Sequence, residues 1–481
     1  MKFRAVCRKF RVVNRTEKIK LLMKLSLRPF GVKKPLFLGG YVEEEDRRQQ
    51  QSDEELLAGL RSERENAGGV PESLAPGRIQ QGTSGEEASW EPREWTHSYI
   101  ALVTQSLDKG GLEEVVRQLA MQMCERGIPV RVFCMQSGGK IAEELRAGKI
   151  EVLCFEGDRE KLRAYCMKER PAIVNSHYVL ENMDVFGQLG IPVVEVIHNM
   201  YVFQTRDGLH IEKEKAFYVK HYIAVSEKAK EIFLHKVPGV AKDRVTVIGN
   251  TLQGKKPDRS REEMRKELGI SPETEVFITV GSLDARKNQI GILRAWDIFR
   301  RLTDKKVLLI MVGGSTDYEY GKKVDWLIGQ RNLQESVLFT GQSDAVSDLL
   351  NASDFFVLNS YYEGWSVAAT EALGSGLPLI HSDCGSGREL TAGGSCGILI
   401  DNPLNRIEDY DSFSLYDVMH AGINEHIDQL VEAMLAMSDH RDEWMAQRDA
   451  IKEYAEVHFS GSKVLDRYLE VFESVLGTRE Q

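Results

Sequence analysis

The stretch DFFVLNSYYEGWSVAATEALGSGLPL, which runs from Asp354 to Leu379, decides the fold of this chain. Its apolar and aromatic residues Phe355–Leu358 predict a buried parallel strand. A polar loop follows. The next segment predicts a helix, because Ser366 can cap a helix N-terminus and Gly374 can end a helix. A strand, a loop and a helix in this order form the repeating unit of a doubly wound α/β sheet.

Two acids in this stretch are candidates for ligand binding. Glu363 lies in the loop and Glu371 on the helix, with seven residues between them. Because side chains on a helix lean toward its N-terminus, the Glu371 carboxylate can point back toward the loop. Both acids then face the carboxyl ends of the strands, where open α/β sheets bind ligands.

The pattern Glu-x7-Glu followed by ALGSGLPLI resembles the donor-site signature of retaining GT-B glycosyltransferases, specifically glycosyltransferase family 4. The resemblance implies that Glu371 holds the ribose hydroxyls of a nucleotide and that Glu363 faces the sugar. It also implies that three amides contact the sugar, those of Gly364, Trp365 and Ser366. A carboxylate can accept both hydroxyls of a ribose, and the free N–H groups of a helix start suit an anion. Outside this context, two such acids would be ordinary solvated charges.

Alternating strands and helices on both sides of this stretch predict an α/β protein with two doubly wound parallel sheets. Residues 96–255 predict one Rossmann-like domain and residues 256–459 a second. The resemblance implies a GT-B arrangement in which the two domains face each other across a cleft. The first domain would bind the acceptor and the second the nucleotide-sugar donor. The last helix, within 460–481, would pack back onto the first domain.

The N-terminal extension differs from the rest in composition. Residues 1–35 contain twelve Lys or Arg and one acid, a charge of +11 in a chain of net charge −10. We expect a basic arm over 1–40 that can contact an anionic membrane surface, the alternatives being a disordered basic tail or a translation-start artefact. Residues 41–95 are too polar to bury a core, which predicts a disordered linker with a short helix around 53–64.

Candidate site residues in the first domain follow predicted strands. Gly110 and Gly111 come directly before a helix, where the absence of side chains lets a ligand approach the backbone. The resemblance implies that these glycines lie over the donor diphosphate and the acceptor. His198 follows the strand VVEVI, and the family places a strand-end histidine toward the donor sugar. His177 ends the preceding strand and is the weaker candidate, with support of the cleft wall as its expected role. An ordinary turn and structural histidines are the alternatives.

The second domain carries the candidate groups for the diphosphate. Arg286 and Lys287 precede a helix at the end of a strand, where positive side chains can stabilise a diphosphate leaving group. The family pattern has an arginine directly after Gly281 and a lysine six residues after that glycine. Lys287 matches the lysine, but Ser282 stands where the arginine is expected. Either Arg286 replaces the missing guanidinium or diphosphate affinity is reduced.

Composition narrows the possible cellular locations, partners and cofactors of the protein. No run of about 18 apolar residues could span a bilayer, and no secretory signal is recognisable. Seven scattered cysteines without a CxxC pair are typical of the reducing cytoplasm, so we expect a cytoplasmic protein, with peripheral contact on the inner face of the membrane as an option. The net charge speaks against nucleic acid as a partner. No metal or other cofactor is expected.

The resemblance therefore implies transfer of a sugar from a nucleotide-sugar to an acceptor hydroxyl with retention. The acceptor would be a saccharide or a lipid-linked saccharide of cell-surface polysaccharide or glycolipid synthesis. The catalytic candidates are His198, Glu363 and Lys287. A sugar-nucleotide epimerase on the same fold and a catalytically weak donor-binding partner subunit are the alternatives. The sequence leaves open the sugar, the base, the oligomeric state and the role of the polar segment 405–422.

Overall fold

The computed structural model describes residues 39–67, 74–77, 79, 95, 98–108, 110–179 and 181–477 of the 481 residues. The chain divides into two units, Met1–Ala58 and Gly59–Gln481. Both sheets and every candidate site residue belong to the second unit. The basic arm falls outside the described residues, apart from Gly39 and Gly40. Its contact with a membrane surface stays a prediction.

The first domain is built on a seven-stranded parallel sheet of order β3-β2-β1-β4-β5-β6-β7. Its strands are β1 Ile100–Thr104, β2 Val130–Cys134, β3 Glu151–Cys154, β4 Ile173–His177, β5 Val193–Ile197, β6 Val219–Ala224 and β7 Val245–Val247. Its helices, numbered after α1 Gly39–Ala67, are α2 Gly111–Glu125, α3 Lys140–Ala147, α4 Arg159–Lys168, α5 Asp184–Gln188, α6 Arg206–Lys215 and α7 Glu227–Lys236.

The second domain repeats the architecture on a six-stranded parallel sheet of order β10-β9-β8-β11-β12-β13. Its strands are β8 Glu275–Val280, β9 Val307–Val312, β10 Val337–Gly341, β11 Phe355–Leu358, β12 Leu379–Ser382 and β13 Gly397–Ile400. Its helices are α8 Arg261–Glu267, α9 Gln289–Leu302, α10 Tyr318–Gln330, α11 Val346–Ala352, α12 Val367–Gly374, α13 Gly387–Thr391, α14 Ser412–Ala421, α15 Ile427–Asp439, α16 Arg441–Ala446 and α17 Arg448–Phe459. The predicted α/β fold with two doubly wound domains is confirmed.

The central strands are buried along their whole length because helices cover both faces of each sheet. All residues of β1, β4 and β5 in the first sheet, and of β11 and β12 in the second, are buried. This explains why their sequences are nearly continuous apolar runs rather than alternating ones. Polar residues therefore collect where these strands end, and that is where the candidate site lies.

The strand order determines where each sheet can bind a ligand. In the first sheet the order reverses between β1 and β4, and in the second between β8 and β11. Loops that follow the two strands at such a reversal diverge to opposite faces of the sheet and leave a crevice between them. Residues after β8 and residues after β11 are therefore brought side by side, and the loops after β1, β4 and β5 lie at the corresponding edge of the first domain.

The last helix, α18 Gly461–Gly477, packs against the first domain. Arg467 donates to the backbone oxygen of Val247 on β7 at 2.6 Å, and Arg126, at the end of α2, pairs with Asp466. A Cβ on Gly461 would lie 2.5 Å from the side chain of Gln122, so this helix approaches α2 closely. The first domain is thus completed by a segment from the far end of the chain.

The segment 41–95 contains more regular structure than a linker without a core would have. A single helix, α1, covers Gly39–Ala67, and it extends the short helix expected around 53–64 in both directions. Its sequence is rich in Glu, Gln and Arg, which have good helix propensity even where they bury little surface. Most of the remainder of the segment lies outside the described residues.

Candidate functional site

The loop between β11 and α12 forms the centre of the site. The Ser366 hydroxyl caps α12 by accepting from the Ala369 amide at 3.2 Å, as the sequence predicted for this residue. The Ser366 amide itself donates to the Ser386 hydroxyl at 3.0 Å. In this conformation it is therefore not free to contact a sugar. The amides of Gly364 and Trp365 have no hydrogen-bond acceptor within the described part of the chain.

Glu363 and Lys287 meet at the reversal between β8 and β11. Lys287 Nζ lies 2.6 Å from Glu363 Oε1, and the Glu363 side chain is only 7% exposed. Burial raises the pKa of Glu363, but the charges of Lys287 and Arg286 more than offset it, so the pKa lies below its ordinary value. The Lys287 stem lies over Gly281, where a Cβ would be 3.4 Å from Lys287 Cε. The site thus holds an ionised carboxylate beside an ammonium group.

Arg286 has its direct contacts with other residues than this pair. Its guanidinium lies 3.5 Å from Asp284 Oδ1 and 5.8 Å from the centre of the Tyr362 ring. The pKa of Arg286 is raised chiefly by the negative charge of Glu363. The two side chains therefore interact through space without a direct contact. The Ser282 hydroxyl donates to Asp284 Oδ2 at 2.6 Å. Arg286 and Ser282 therefore both interact with the carboxylate of Asp284.

Glu371 lies on α12, which begins directly after the loop that carries Glu363, and it has no ionic partner among the residues that the structure describes. No described residue donates a hydrogen bond to its carboxylate. Burial raises the pKa of Glu371 to about 7. A half-buried acid without a partner is costly for folding, which makes it a candidate for recognition of a ligand hydroxyl.

His198 and His177 are hydrogen bonded to each other at the ends of β5 and β4. His177 Nδ1 lies 2.9 Å from His198 Nε2, and His177 Nε2 lies 2.9 Å from the Asn175 side-chain oxygen. Burial lowers the pKa of His198 to about 4 and that of His177 well below its ordinary value, so both rings are neutral.

This arrangement fixes the tautomer of both rings. The Asn175 oxygen can only accept, because its amide nitrogen donates to Val194 O at 3.2 Å. His177 must then carry its proton on Nε2, and its Nδ1 accepts from His198. His198 is left with an unprotonated Nδ1. The expectation that His177 supports the cleft wall stays a prediction. The hydrogen bond gives it a physical form, because His177 orients the His198 ring by accepting from its Nε2.

The two domains are in direct contact at Gly364. A Cβ on this glycine would lie 1.7 Å from the backbone oxygen of His198, so no other residue fits without a shift. The Gly364 oxygen also accepts from the Ser226 hydroxyl at 3.1 Å. The Trp365 side chain is buried, its indole N–H donates to Thr370 at 2.8 Å, and its ring packs on Gly249. Trp365 is thus a packing residue apart from its amide.

Gly110 and Gly111, at the start of α2, differ in the space around them. Gly110 is the N-cap, and a Cβ there would lie 2.1 Å from Glu113 Oε2. A Cβ on Gly111 would meet nothing within 4 Å. Glu113 accepts from the Ser106 hydroxyl at 3.0 Å and lies beside the first turn. The helix start therefore already faces a carboxylate, while Lys109 lies outside the described residues.

A cavity of about 390 Å³ lies beside the site. It is lined by residues of both domains: Asn199, Phe203, Asp284, Ala285, Arg286, Asp317, Tyr362, Met419 and His420. Sequence reasoning singled out only Arg286 among them. Tyr362 and Asn199 could have been considered from their positions next to Glu363 and His198, but no sequence signal marked Asp317 or the helix α14.

Metal coordination has no evident place in this arrangement. Across the described ranges there is no group of three or more His, Cys, Asp or Glu side chains that could hold a metal ion. The expectation that no metal or cofactor is needed stays a prediction.

No described helix is long and apolar enough to cross a membrane.

Comparison with known proteins gives two family matches that follow one another along the chain. Residues 109–252 match the family described as Glycosyltransferase Family 4, and residues 260–410 match the family described as Glycosyl transferases group 1. The two matches cover most of both sheets and end before α14. The segment 411–477 lies outside them.

Individual relatives agree with these matches. An uncharacterized glycosyltransferase of Methanocaldococcus jannaschii is 32% identical over 150 residues, which cover 30% of this chain and 36% of that protein. The UDP-Gal:alpha-D-GlcNAc-diphosphoundecaprenol alpha-1,3-galactosyltransferase of Escherichia coli is 25% identical over 351 residues, covering 66% of this chain and 87% of that protein. The crystal structure of Anabaena HepE in complex with UDP has the same fold, with a TM-score of 0.59 and 18% identity over 78% of this chain and 100% of that one.

Proposed function

The chain belongs to the family 4 glycosyltransferases with the GT-B fold, and on this premise we propose that it transfers a sugar from a nucleotide-sugar to an acceptor hydroxyl with retention at the anomeric carbon. The observation that carries the proposal is the Lys287–Glu363 pair, held at 2.6 Å where the second sheet reverses its strand order. A cation and an ionised acid side by side there can serve a diphosphate and a sugar at once.

The donor would be held by three kinds of contact. Lys287 would meet the diphosphate, because its ammonium is the positive group nearest Glu363. Glu371 would accept the ribose hydroxyls with a carboxylate that no described side chain occupies. The free amides of Gly364 and Trp365 would contact the sugar. UDP-sugars are the first donors to test, because a relative's name contains UDP-Gal and Anabaena HepE binds UDP.

The chemical step would need positioning and charge stabilisation rather than a protein nucleophile. The bond from the anomeric carbon to the diphosphate breaks, and its electron pair goes to the leaving phosphate oxygen. The acceptor oxygen bonds to the same carbon from the same face, and its proton passes to that phosphate oxygen. Lys287 would stabilise the charge of the leaving group, which is commonly worth a factor of ~10²–10³ in rate. His198 and Glu363 would orient the sugar.

The acceptor and its pathway are the finer part of the proposal. We place the reaction in cell-surface polysaccharide or glycolipid synthesis with a saccharide or lipid-linked saccharide acceptor. The support is the Escherichia coli relative, whose name specifies a diphosphoundecaprenol-linked acceptor. Residues 1–35, with their charge of +11, would bring such an acceptor's membrane within reach from the cytoplasmic side.

A direct test is binding and turnover with the full chain. UDP-, GDP-, ADP- and dTDP-sugars are screened by thermal shift, and the best donor is incubated with glycoside acceptors, with the product's anomeric configuration read by NMR. We expect one nucleotide class to stabilise the protein and the product to keep the donor's configuration. An inverted product would contradict retention. Release of free sugar from the donor at the same rate with and without acceptor would favour the epimerase alternative.

A further inference from the structure

A buried triad of charged side chains, Glu195, Glu212 and Lys215, closes the segment that carries His198. Lys215 ends α6, and its Nζ lies 2.6 Å from Glu195 Oε1 on β5 and 3.2 Å from Glu212 Oε1 one turn earlier in the helix. All three residues are at most 1% exposed. Glu195 and Lys215 are 20 residues apart in sequence. Their ion pair therefore joins the two ends of the segment that contains the His198 loop.

Stability of the domain core does not by itself explain the buried triad. One ammonium faces two carboxylates, which gives a net charge of −1 when all three groups are ionised. Burial raises the pKa of Glu195 to about 7; the charge of Lys215 opposes this shift and that of Glu212 adds to it. Removing ions from water opposes folding, and apolar side chains of similar volume often stabilise a core equally well or better. A buried triad is therefore of most use where it fixes one particular conformation.

The loop that the triad closes is strained. Tyr201 follows His198 by three residues and has a φ of 59°, in the left-handed region that bulky side chains rarely adopt. Its ring is fully buried, with its centre 5.7 Å from that of Phe233 on α7. Burial raises the pKa of Tyr201, and the charges of Glu212 and Glu195 raise it further, which places its hydroxyl near the triad. Strain of this kind persists only where the surroundings determine the conformation from several sides.

The other side of the same loop touches the second domain. Met200 Sδ accepts from the Gly385 amide at 3.3 Å, and the His198 backbone oxygen packs against Gly364. Gly364 directly follows Glu363 in the sequence. A shift of this loop would therefore move His198 relative to Glu363, and these are the two groups proposed to orient the sugar. The loop is thus held between the buried triad on one side and the Glu363 loop on the other.

From these contacts we propose that Lys215 is a positioning residue for sugar transfer, because the triad it bridges holds the loop after β5 in the strained conformation that places His198 beside the Glu363 loop. The inference rests on the proposed function and deepens it. The triad belongs to the first domain, whereas Lys287 and Glu371, the proposed contacts of the nucleotide, belong to the second. Loss of the triad should therefore slow the transfer step and leave nucleotide binding intact.

The test replaces the three charges together in the full chain. The triple variant Glu195→Met/Glu212→Met/Lys215→Met leaves no unpaired charge and fills a similar volume with adaptable apolar side chains, so the thermal midpoint should stay near that of the wild type. Transfer is measured from UDP-glucose and UDP-galactose to p-nitrophenyl glycosides. We expect kcat to fall at least about tenfold because His198 is misplaced. Lys213→Met is the matched control, since it removes an exposed lysine from the same helix.

Two further measurements distinguish positioning from a structural role. UDP affinity, measured by calorimetry, should change less than about twofold in both variants. Nitrogen NMR of labelled histidine should show the Nε2–H tautomer of His198 in the wild type and the control, and a mixture in the triple variant. Wild-type transfer and histidine signals in the triple variant would overturn the inference and leave the proposed function standing. A thermal midpoint that falls together with UDP affinity would also overturn it, because the triad would then only stabilise the domain. Wild-type protein that binds no nucleotide would instead refute the proposed function.

Discussion

Lys287 and Glu363 are 76 residues apart in sequence, yet their charged atoms lie 2.6 Å from each other. The contact follows from topology. β8 and β11 are neighbours in the sheet, with Phe277 paired to Phe355, although three helices and two strands separate them in the chain. The loops after these strands meet at the reversal of strand order, and the side chains that end up there are the ones that can act on a ligand together.

Replacement of Lys287 by Ala should reduce sugar transfer by a factor of ~10²–10³, because the leaving diphosphate loses its positive partner. The fold should persist, since Arg286 still offsets part of the buried charge of Glu363, but the loss of its direct partner should cost about 3–5 kcal/mol. Transfer rates at saturating donor and the thermal midpoint measure the two effects. Lys306→Ala, which removes an exposed lysine paired with Glu273, is the control. Equal rates for the two variants would exclude Lys287 from the site.

UDP binding should depend on pH through Glu371, whose pKa is about 7 in the free protein. Ribose hydroxyls donate to the ionised carboxylate, so binding favours loss of the proton. Below pH about 7 the proton must be released on binding, and affinity should therefore rise as the pH increases through about 7 and then level off. Calorimetry at pH values from about 6 to about 8 measures this, and Glu371→Gln should remove the part of the slope that Glu371 contributes. The same pH profile in both proteins would rule out Glu371 as the ribose ligand.

Loss of His177 should impair catalysis through His198. With His177→Ala, the His198 ring loses the acceptor that holds its proton on Nε2, and we expect transfer to fall about tenfold, the equivalent of one hydrogen bond of ~1–1.5 kcal/mol. Nitrogen NMR of labelled histidine should show His198 as the Nε2–H tautomer in the wild type and as a mixture in the variant. His221→Ala, which removes a hydrogen bond to Thr246 away from the site, is the control. A purely structural role would lower the thermal midpoint without changing the His198 tautomer.

Gly364→Ala should disturb the contact between the domains. The new Cβ would lie 1.7 Å from the His198 oxygen, so the backbone must move, at a cost of about 1–3 kcal/mol. We expect a lower thermal midpoint and a strong loss of transfer, since the same shift displaces Glu363. Gly329→Ala on α10 is the control, because a Cβ there meets nothing within 4 Å. Wild-type stability and activity in Gly364→Ala would show that the two domains separate at this point in solution.

The local sequence pattern was sufficient to predict the strand and the helix around the site. The apolar run Phe355–Leu358, the capping residue Ser366 and the stop at Gly374 predicted a strand and a helix that the structure contains at those places. The same reasoning predicts too short a helix for α1. The polar composition indicates that the segment buries little core, whereas Glu, Gln and Arg still favour a helical backbone. Composition reports how much core a segment can bury, and only weakly whether its backbone is helical.

The sequence by itself determined the two doubly wound sheets, the strands that His198, Lys287 and Glu363 follow, and the helix that carries Glu371. Periodicity and capping, which predict these elements, act between residues that are close along the chain. Only the tertiary structure decided which of these groups are paired. It joined Lys287 to Glu363, left Glu371 without a partner among the described residues, engaged the Ser366 amide and placed α14 beside Asp317. Such contacts depend on strand order and on packing between distant segments, and these are properties of the folded chain as a whole.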